Sequence, residues 1–188
     1  MIQGVIFDLD GVIVSTDEFH FQAWQQLARE ENIPFSREDN EQLKGVSRME
    51  SLEIILRKSP RLFPAQAKEA MAERKNSYYR KLLQKLSPAD VLPGVVSFLE
   101  FLRGRKVQAA IGSSSKNAVP ILKAIGLADA FGAVADGTQI KNSKPHPEVF
   151  LLAASMLSLP PRSCLVVEDA EAGVEAGLAA GMKVLAVG

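Results

Sequence analysis

Cysteine is almost absent from this 188-residue chain: a single one, Cys164, stands in the apolar run 164–167. One thiol cannot close an intrachain disulfide or build a cysteine-rich metal site, so it reads as a small buried apolar residue. An excess of either charge is also lacking. Lys plus Arg and Asp plus Glu each total 22, which leaves no electrostatic footprint for nucleic acid or for an acidic membrane surface. No window approaches the roughly 20 apolar residues of a bilayer-spanning helix, and no basic stretch opens into a long apolar segment at the amino terminus. There is no internal repeat, no low-complexity stretch, no glycine-rich Walker loop and no G-x-G-x-x-G, so a nucleoside triphosphate or dinucleotide is not the expected ligand. These absences point to a soluble cytoplasmic protein with a small-molecule partner, with no nucleic acid and no membrane among its ligands. Its length allows one large core or a core with a smaller insertion.

What is present alternates. Short β-branched runs at 4–9, 107–112, 133–135, 165–167 and 183–187 are separated by helical patterns at 95–103, 117–125, 147–157 and 171–180. That order predicts an α/β fold, a Rossmann-like parallel sheet with helices on both faces. Between the first and second strands lie nearly a hundred residues with helix patterns at 17–31, 37–43, 49–58 and 65–86, broken at Pro34, Gly45 and 60–64. This interval is too long for a simple crossover and predicts an inserted four-helix cap domain. The expected division is a catalytic core of 1–15 and 89–188 and a cap of 16–88, hinged near Ser15-Thr16 and 87–90.

The first strand runs into Asp8-Leu9-Asp10-Gly11-Val12. Alternation along a strand sends Asp8 and Asp10 to the same side, and Gly11 lets the chain turn away at once. Taken alone this could be a solvated turn. Two carboxylates so close need a cation or shared proton to offset their repulsion, and Mg²⁺, which takes hard oxygen ligands and phosphate, fits best. Ligands of open α/β sheets bind beyond the carboxyl ends of the strands. There the chain places Ser113, Ser114, Ser115, Lys116 and Asn117 after the second strand and Glu168-Asp169 after the fourth, with Lys144 ahead of the preceding helix. A nucleophile, an acid/base, an anion nest, a cationic clamp and metal carboxylates make up the equipment for phosphoryl transfer.

With Asp8-Leu9-Asp10-Gly11-Val12, Ser113, Lys144-Pro145 and Glu168-Asp169 in this order, the chain resembles the haloacid dehalogenase superfamily of aspartate-nucleophile phosphotransferases over essentially its whole length. The segments 19–24 (Phe-His-Phe-Gln-Ala-Trp) and 41–48 (Glu-Gln-Leu-Lys-Gly-Val-Ser-Arg) look like cap signatures of its β-phosphoglucomutase branch. The resemblance implies a monomeric, Mg²⁺-dependent enzyme that interconverts β-D-glucose 1-phosphate and β-D-glucose 6-phosphate through an aspartyl phosphate and a 1,6-bisphosphate. It implies Asp8 as nucleophile and metal ligand, and Asp10 as general acid/base with its carbonyl on the metal. Asp169 and Glu168 would complete or support the metal site, and Ser113 and Lys144 would hold the reacting phosphoryl group. Ser115, Lys116 and Asn117 would form the second phosphate pocket, reached from the cap by Arg48, with Ser114 a further substrate contact. The remaining substrate contacts it implies are Thr16, His20, Trp24, Lys44, Gly45, Val46, Ser51 and Lys75. A sugar-phosphate phosphatase is the alternative, and an inert sugar-phosphate sensor a more distant one.

Plainer readings compete at several positions. His20 on an amphipathic helix could be structural, although the cap signature assigns it to positioning Asp10 or substrate; Trp24, one turn on, reads as packing. Lys44 and Lys75 could be solvated charges, Lys75 especially, within Glu73-Arg74-Lys75. His146, between two prolines, reads as a loop residue. Two departures from the family pattern stand out. Ser114 replaces a small apolar residue, and Gly188 ends the chain where the family continues with a strand and a helix, whose loss would leave an open sheet edge and apolar surface.

Overall fold

The computed structural model describes all 188 residues. Five parallel strands, β1 (Gly4–Phe7), β2 (Gln108–Gly112), β3 (Ala133–Ala135), β4 (Cys164–Glu168) and β5 (Lys183–Ala186), form one sheet in the order β3-β2-β1-β4-β5. Side-chain alternation sends Val5 and Phe7 into one hydrophobic cluster with Ile111, Ile121 and Val167, and Ile6 into another with Ala110, Phe150 and Val166. A sheet buried on both faces explains why β1 reads as a continuous apolar run. The layers are α5 (Val95–Gly104) and α6 (Ala118–Ala124) on the first face, α7 (Glu148–Met156) and α8 (Glu171–Ala179) on the second. At the sheet edge β5 pairs with β4 alone, and Leu185 is exposed. No helix is long and apolar enough to cross a membrane.

Between β1 and β2 lie α1 (Asp17–Glu30), α2 (Arg37–Glu41), α3 (Arg48–Leu56) and α4 (Ala65–Leu83). Ser36 and Ser47 start α2 and α3 with reciprocal capping boxes to Asp39 and Glu50, which satisfy amides that have no partner within the helix. Trp24, Leu27, Leu52, Ile55 and Met71 give this layer its own buried cluster. Ala23, Tyr79, Leu83 and Leu86 join the sheet's cluster instead, so α1 and α4 seat the insertion on the core.

The first strand ends sooner than its apolar run suggests. β1 stops at Phe7, not at residue 9, because the backbone then curls into a tight loop in which Ile13 and Val14 both donate to the Leu9 carbonyl, at 3.0 and 3.2 Å. Asp8 still continues the ladder by donating to Val167 O at 2.9 Å. α4 stops three residues short of 86, and residues 88–90 form a 3₁₀ turn closed by Asp90 on the Ser87 amide at 2.7 Å.

Candidate active site

The carboxyl ends of β1, β2 and β4 open into a cavity of about 1070 Å³ roofed by the inserted helices. Asp8 lies on its floor, 7 % exposed. Lys144, 1 % exposed, donates to Asp8 Oδ1 and to Glu168 Oε1 and stands 4.7 Å from the Phe150 ring centre. One ammonium between two carboxylates leaves a negative charge uncompensated. Burial would lower the Lys144 pKa, but Asp8 and Glu168 outweigh it and hold the ammonium charged. Burial pushes the Asp8 carboxyl up, against the pull of Lys144 and with the repulsion of Glu168.

The acidic cluster is Asp8, Glu168 and Asp169, with one oxygen of each within 4.8 Å of the others. Hard oxygens in a surplus of negative charge fit Mg²⁺. Two glycines make the cluster possible. Gly11 has φ +84°, and a Cβ there would lie 2.0 Å from Asp169 Oδ2; a Cβ at Gly173 would lie 1.8 Å from Glu168 Oε1. Glu168 has a second task, since Oε2 accepts from the Ala170 amide at 2.8 Å while Oε1 holds Lys144. Burial raises Asp169 to about 6. Ligation needs the ionised carboxylate, so lowering the pH through this range must weaken the metal. Asp8, raised to about 8, competes for protons in the same way, so the rise in melting temperature on adding Mg²⁺ is expected to be large near about pH 9 and to shrink toward about pH 5. Taking the difference with and without metal cancels His20 and Lys75, whose titration also tilts stability. An increment that does not change with pH would contradict this ligand set.

Asp10 faces the roof. Its carboxylate accepts from Thr16 Oγ1, and Thr16 in turn lies 2.7 Å from Tyr79 Oη on α4. Burial raises Asp10 to about 6, with the Thr16 hydrogen bond pulling the other way. A carboxyl poised near neutrality can both give and take a proton. His20 does not bond to Asp10. Its Nδ1 is 2.9 Å from Lys75 Nζ and its ring is 4.1 Å from that of Tyr79. Burial first, then the charges of Lys75 and Arg48, depress the His20 pKa, so a neutral imidazole accepts from Lys75.

Lys75 is not a solvated charge: it is 2 % exposed, with Nζ 4.5 Å from the Trp24 ring centre and 4.8 Å from that of Tyr79. Trp24 packs as expected, yet also lines the cavity. Ser113, Ser114, Ser115, Lys116 and Asn117 line it from the core; Lys44, Gly45, Val46, Arg48 and Ser51 line it from the insertion. Ser115 N donates to Ser113 Oγ at 3.1 Å and Asn117 N to Ser115 Oγ at 3.2 Å, which shapes the loop ahead of α6. Ser114 Oγ is buried without a partner. Lys44 pairs with Glu41 at 2.9 Å and Asp17 at 3.3 Å, and Arg48 with Glu73 at 3.4 Å. His146 lines the cavity as well, its side chain half exposed.

Sequence reading missed Tyr79, Asn76 and Glu73. For Tyr79 and Asn76 a usable signal existed: positions 71, 72, 75, 76, 79 and 83 are the buried face of α4, and polar side chains on such a stripe mark a helix that buries chemistry, whereas Glu73 lies off that face.

A parallel sheet whose strand ends present a lysine-bridged aspartate and a clustered set of carboxylates is suited to phosphoryl transfer. Residues 2–181 match the haloacid dehalogenase-like hydrolase family, and the chain belongs to it. It is 44 % identical over 189 aligned positions to the β-phosphoglucomutase of Bacillus subtilis, covering 100 % of this chain and 84 % of that protein. A crystal structure of β-phosphoglucomutase from Clostridium difficile superposes with a TM-score of 0.96 at 42 % identity, covering 100 % of this chain and 85 % of that one. The phosphorylated carbohydrates phosphatase of Thermotoga maritima is 30 % identical across 97 % of this chain and 83 % of its own length.

Proposed function

We propose that this enzyme is a Mg²⁺-dependent phosphomutase that interconverts β-D-glucose 1-phosphate and β-D-glucose 6-phosphate through a bound 1,6-bisphosphate. The observation that carries this reading is one cavity with two anion-binding ends. Asp8 and Ser113 line it at the reacting end, with the buried Lys144 bonded to Asp8 behind them; Arg48, Ser115, Lys116 and Asn117 line it too and would grip the second phosphate. In support, the two β-phosphoglucomutases are more than 40 % identical to this chain.

A carboxylate oxygen of Asp8 attacks phosphorus as the bond to the sugar oxygen breaks, and Asp10 gives that oxygen its proton. In the return direction Asp10 takes a proton from the attacking sugar hydroxyl, and the Asp8–phosphorus bond breaks. Lys144 and Ser113 hold the equatorial oxygens, where fixed donors in a dry site offset the developing charge. When bound, Mg²⁺ would be held by Asp8, Asp169 and the Asp10 carbonyl, with Glu168 beside it, and would supply charge neutralisation at the phosphoryl group. The helices α1–α4 act as a cap over residues 1–15 and 89–188, opening about Thr16 and residues 87–90 to admit sugar phosphate. A phosphatase is the second reading, favoured by the likeness to the Thermotoga enzyme. Feeding β-glucose 1-phosphate, a trace of bisphosphate and Mg²⁺ separates them: a mutase yields glucose 6-phosphate, a phosphatase free phosphate.

Arg48 decides between the readings at the level of residues. Its side chain is 21 % exposed, with Glu73 as its one ion-pair partner. Truncating a partly desolvated partner of phosphate costs about 2 to 5 kcal/mol. Arg48→Ala is expected to lower mutase kcat/KM by at least about 30-fold. For acetyl phosphate, which has no distal phosphate, the loss should be much smaller. Equal losses would move Arg48 to the reacting end, and no loss would favour the phosphatase.

A further inference from the structure

One direct side-chain hydrogen bond ties α4 to the loop before α6: Asn117 Nδ2 donates to Asn76 Oδ1 at 3.1 Å. Both residues line the cavity, and both are buried, at 8 % and 7 % exposure. Asparagine is a poor residue for a buried helix interior, where it lowers helix propensity and must be desolvated. Nothing within α4 uses the Asn76 side chain; its partner lies 41 residues away on the sheet side. Its neighbour Lys75 turns instead to His20. Successive residues of one helix thus reach opposite walls of the cavity.

The amide nitrogen of asparagine carries two N–H donors. With one committed to the Asn76 carbonyl oxygen, the Asn117 amide has a partner on α4 that sets its plane, and the second N–H stays available to an anion. Without Asn76 the amide is free to turn its oxygen toward a phosphate, where it would repel. The geometry points to Asn76 as a positioning residue: it orients Asn117 for the phosphate that is not reacting and makes that grip depend on α4 being seated on the core. The assignment rests on the proposed distal pocket formed by Ser115, Lys116 and Asn117.

The test is a double-mutant cycle read in steady-state kinetics with β-glucose 1,6-bisphosphate as the varied substrate. Asn76→Ala is expected to raise KM for the bisphosphate by about 10- to 150-fold, the range for losing a hydrogen bond to a charged group, with kcat changed much less. Asn117→Ala should raise it by at least as much, and the double variant should be no worse than Asn117→Ala alone, because Asn76 acts through Asn117. Multiplying effects, or an unchanged KM in Asn76→Ala beside a raised one in Asn117→Ala, would overturn the positioning role and leave the distal pocket standing. An unchanged KM in Asn117→Ala would overturn the pocket and the positioning role with it. Should Asn76→Ala fail to fold, Asn76→Thr nearly fills the same volume without reaching Asn117 and gives the same comparison.

Discussion

Asp8→Asn is expected to abolish turnover, by at least about 10⁴-fold, because an amide oxygen of almost the same shape is a poor nucleophile. The fold should survive. Lys144 keeps its ion pair with Glu168, and the Asp8 amide keeps its ladder bond to Val167. Circular dichroism and the melting profile should therefore stay near those of the unsubstituted protein while product formation vanishes. Burial of the Lys144–Asp8–Glu168 group argues that Asp8 is reserved for a reaction, since two desolvated carboxylates on one ammonium are costly for stability alone. Turnover close to normal in Asp8→Asn would refute the nucleophile.

The second large effect is at Asp10. Asp10→Asn keeps the main-chain carbonyl and an oxygen that can still accept from Thr16, but it cannot exchange a proton near neutral pH. Sugar-to-sugar phosphoryl transfer should slow by about 10² to 10⁴. The loss should be far smaller for acetyl phosphate as donor to the enzyme, because its leaving group departs without a proton. Mg²⁺ affinity, read from metal-dependent melting, should be nearly unchanged. Loss of metal affinity with unaltered transfer would reassign Asp10 from proton transfer to ligation.

Legibility followed sequence distance. Asp8, Asp10 and Gly11 could be read together because they fall within four residues and Gly11 permits the turn, although β1 ends at Phe7, so strand alternation does not reach Asp10, which faces the roof while Asp8 lies on the floor. Their strand was nonetheless read two residues too long, since apolar Leu9 belongs to the loop that β1 enters rather than to the ladder. The helices were legible from periodicity, and α4 is the informative failure. Its charged run 73–75 suggested a wet surface, whereas the helix turns Lys75 inward against Trp24 and His20 and leaves Glu73 to meet Arg48. A helix has one stripe to bury, and when a residue of a charged run falls on that stripe its burial depends on what waits across the interface.

The sequence by itself determined the alternating α/β order, the long helical insertion after β1, and the polar residues at the strand ends, because each follows from local propensity and periodicity. Only the tertiary structure decided that Lys144 bridges Asp8 and Glu168, that Tyr79 and Thr16 stand in line with Asp10, and that Asn76 holds Asn117. These pairs lie 24 to 136 residues apart for Lys144, 63 for Thr16 and Tyr79, and 41 for the asparagines. Whether such groups meet is set by how one helical layer seats on another surface, which no local pattern encodes; once seated, a buried polar group must find a partner or destabilise the fold.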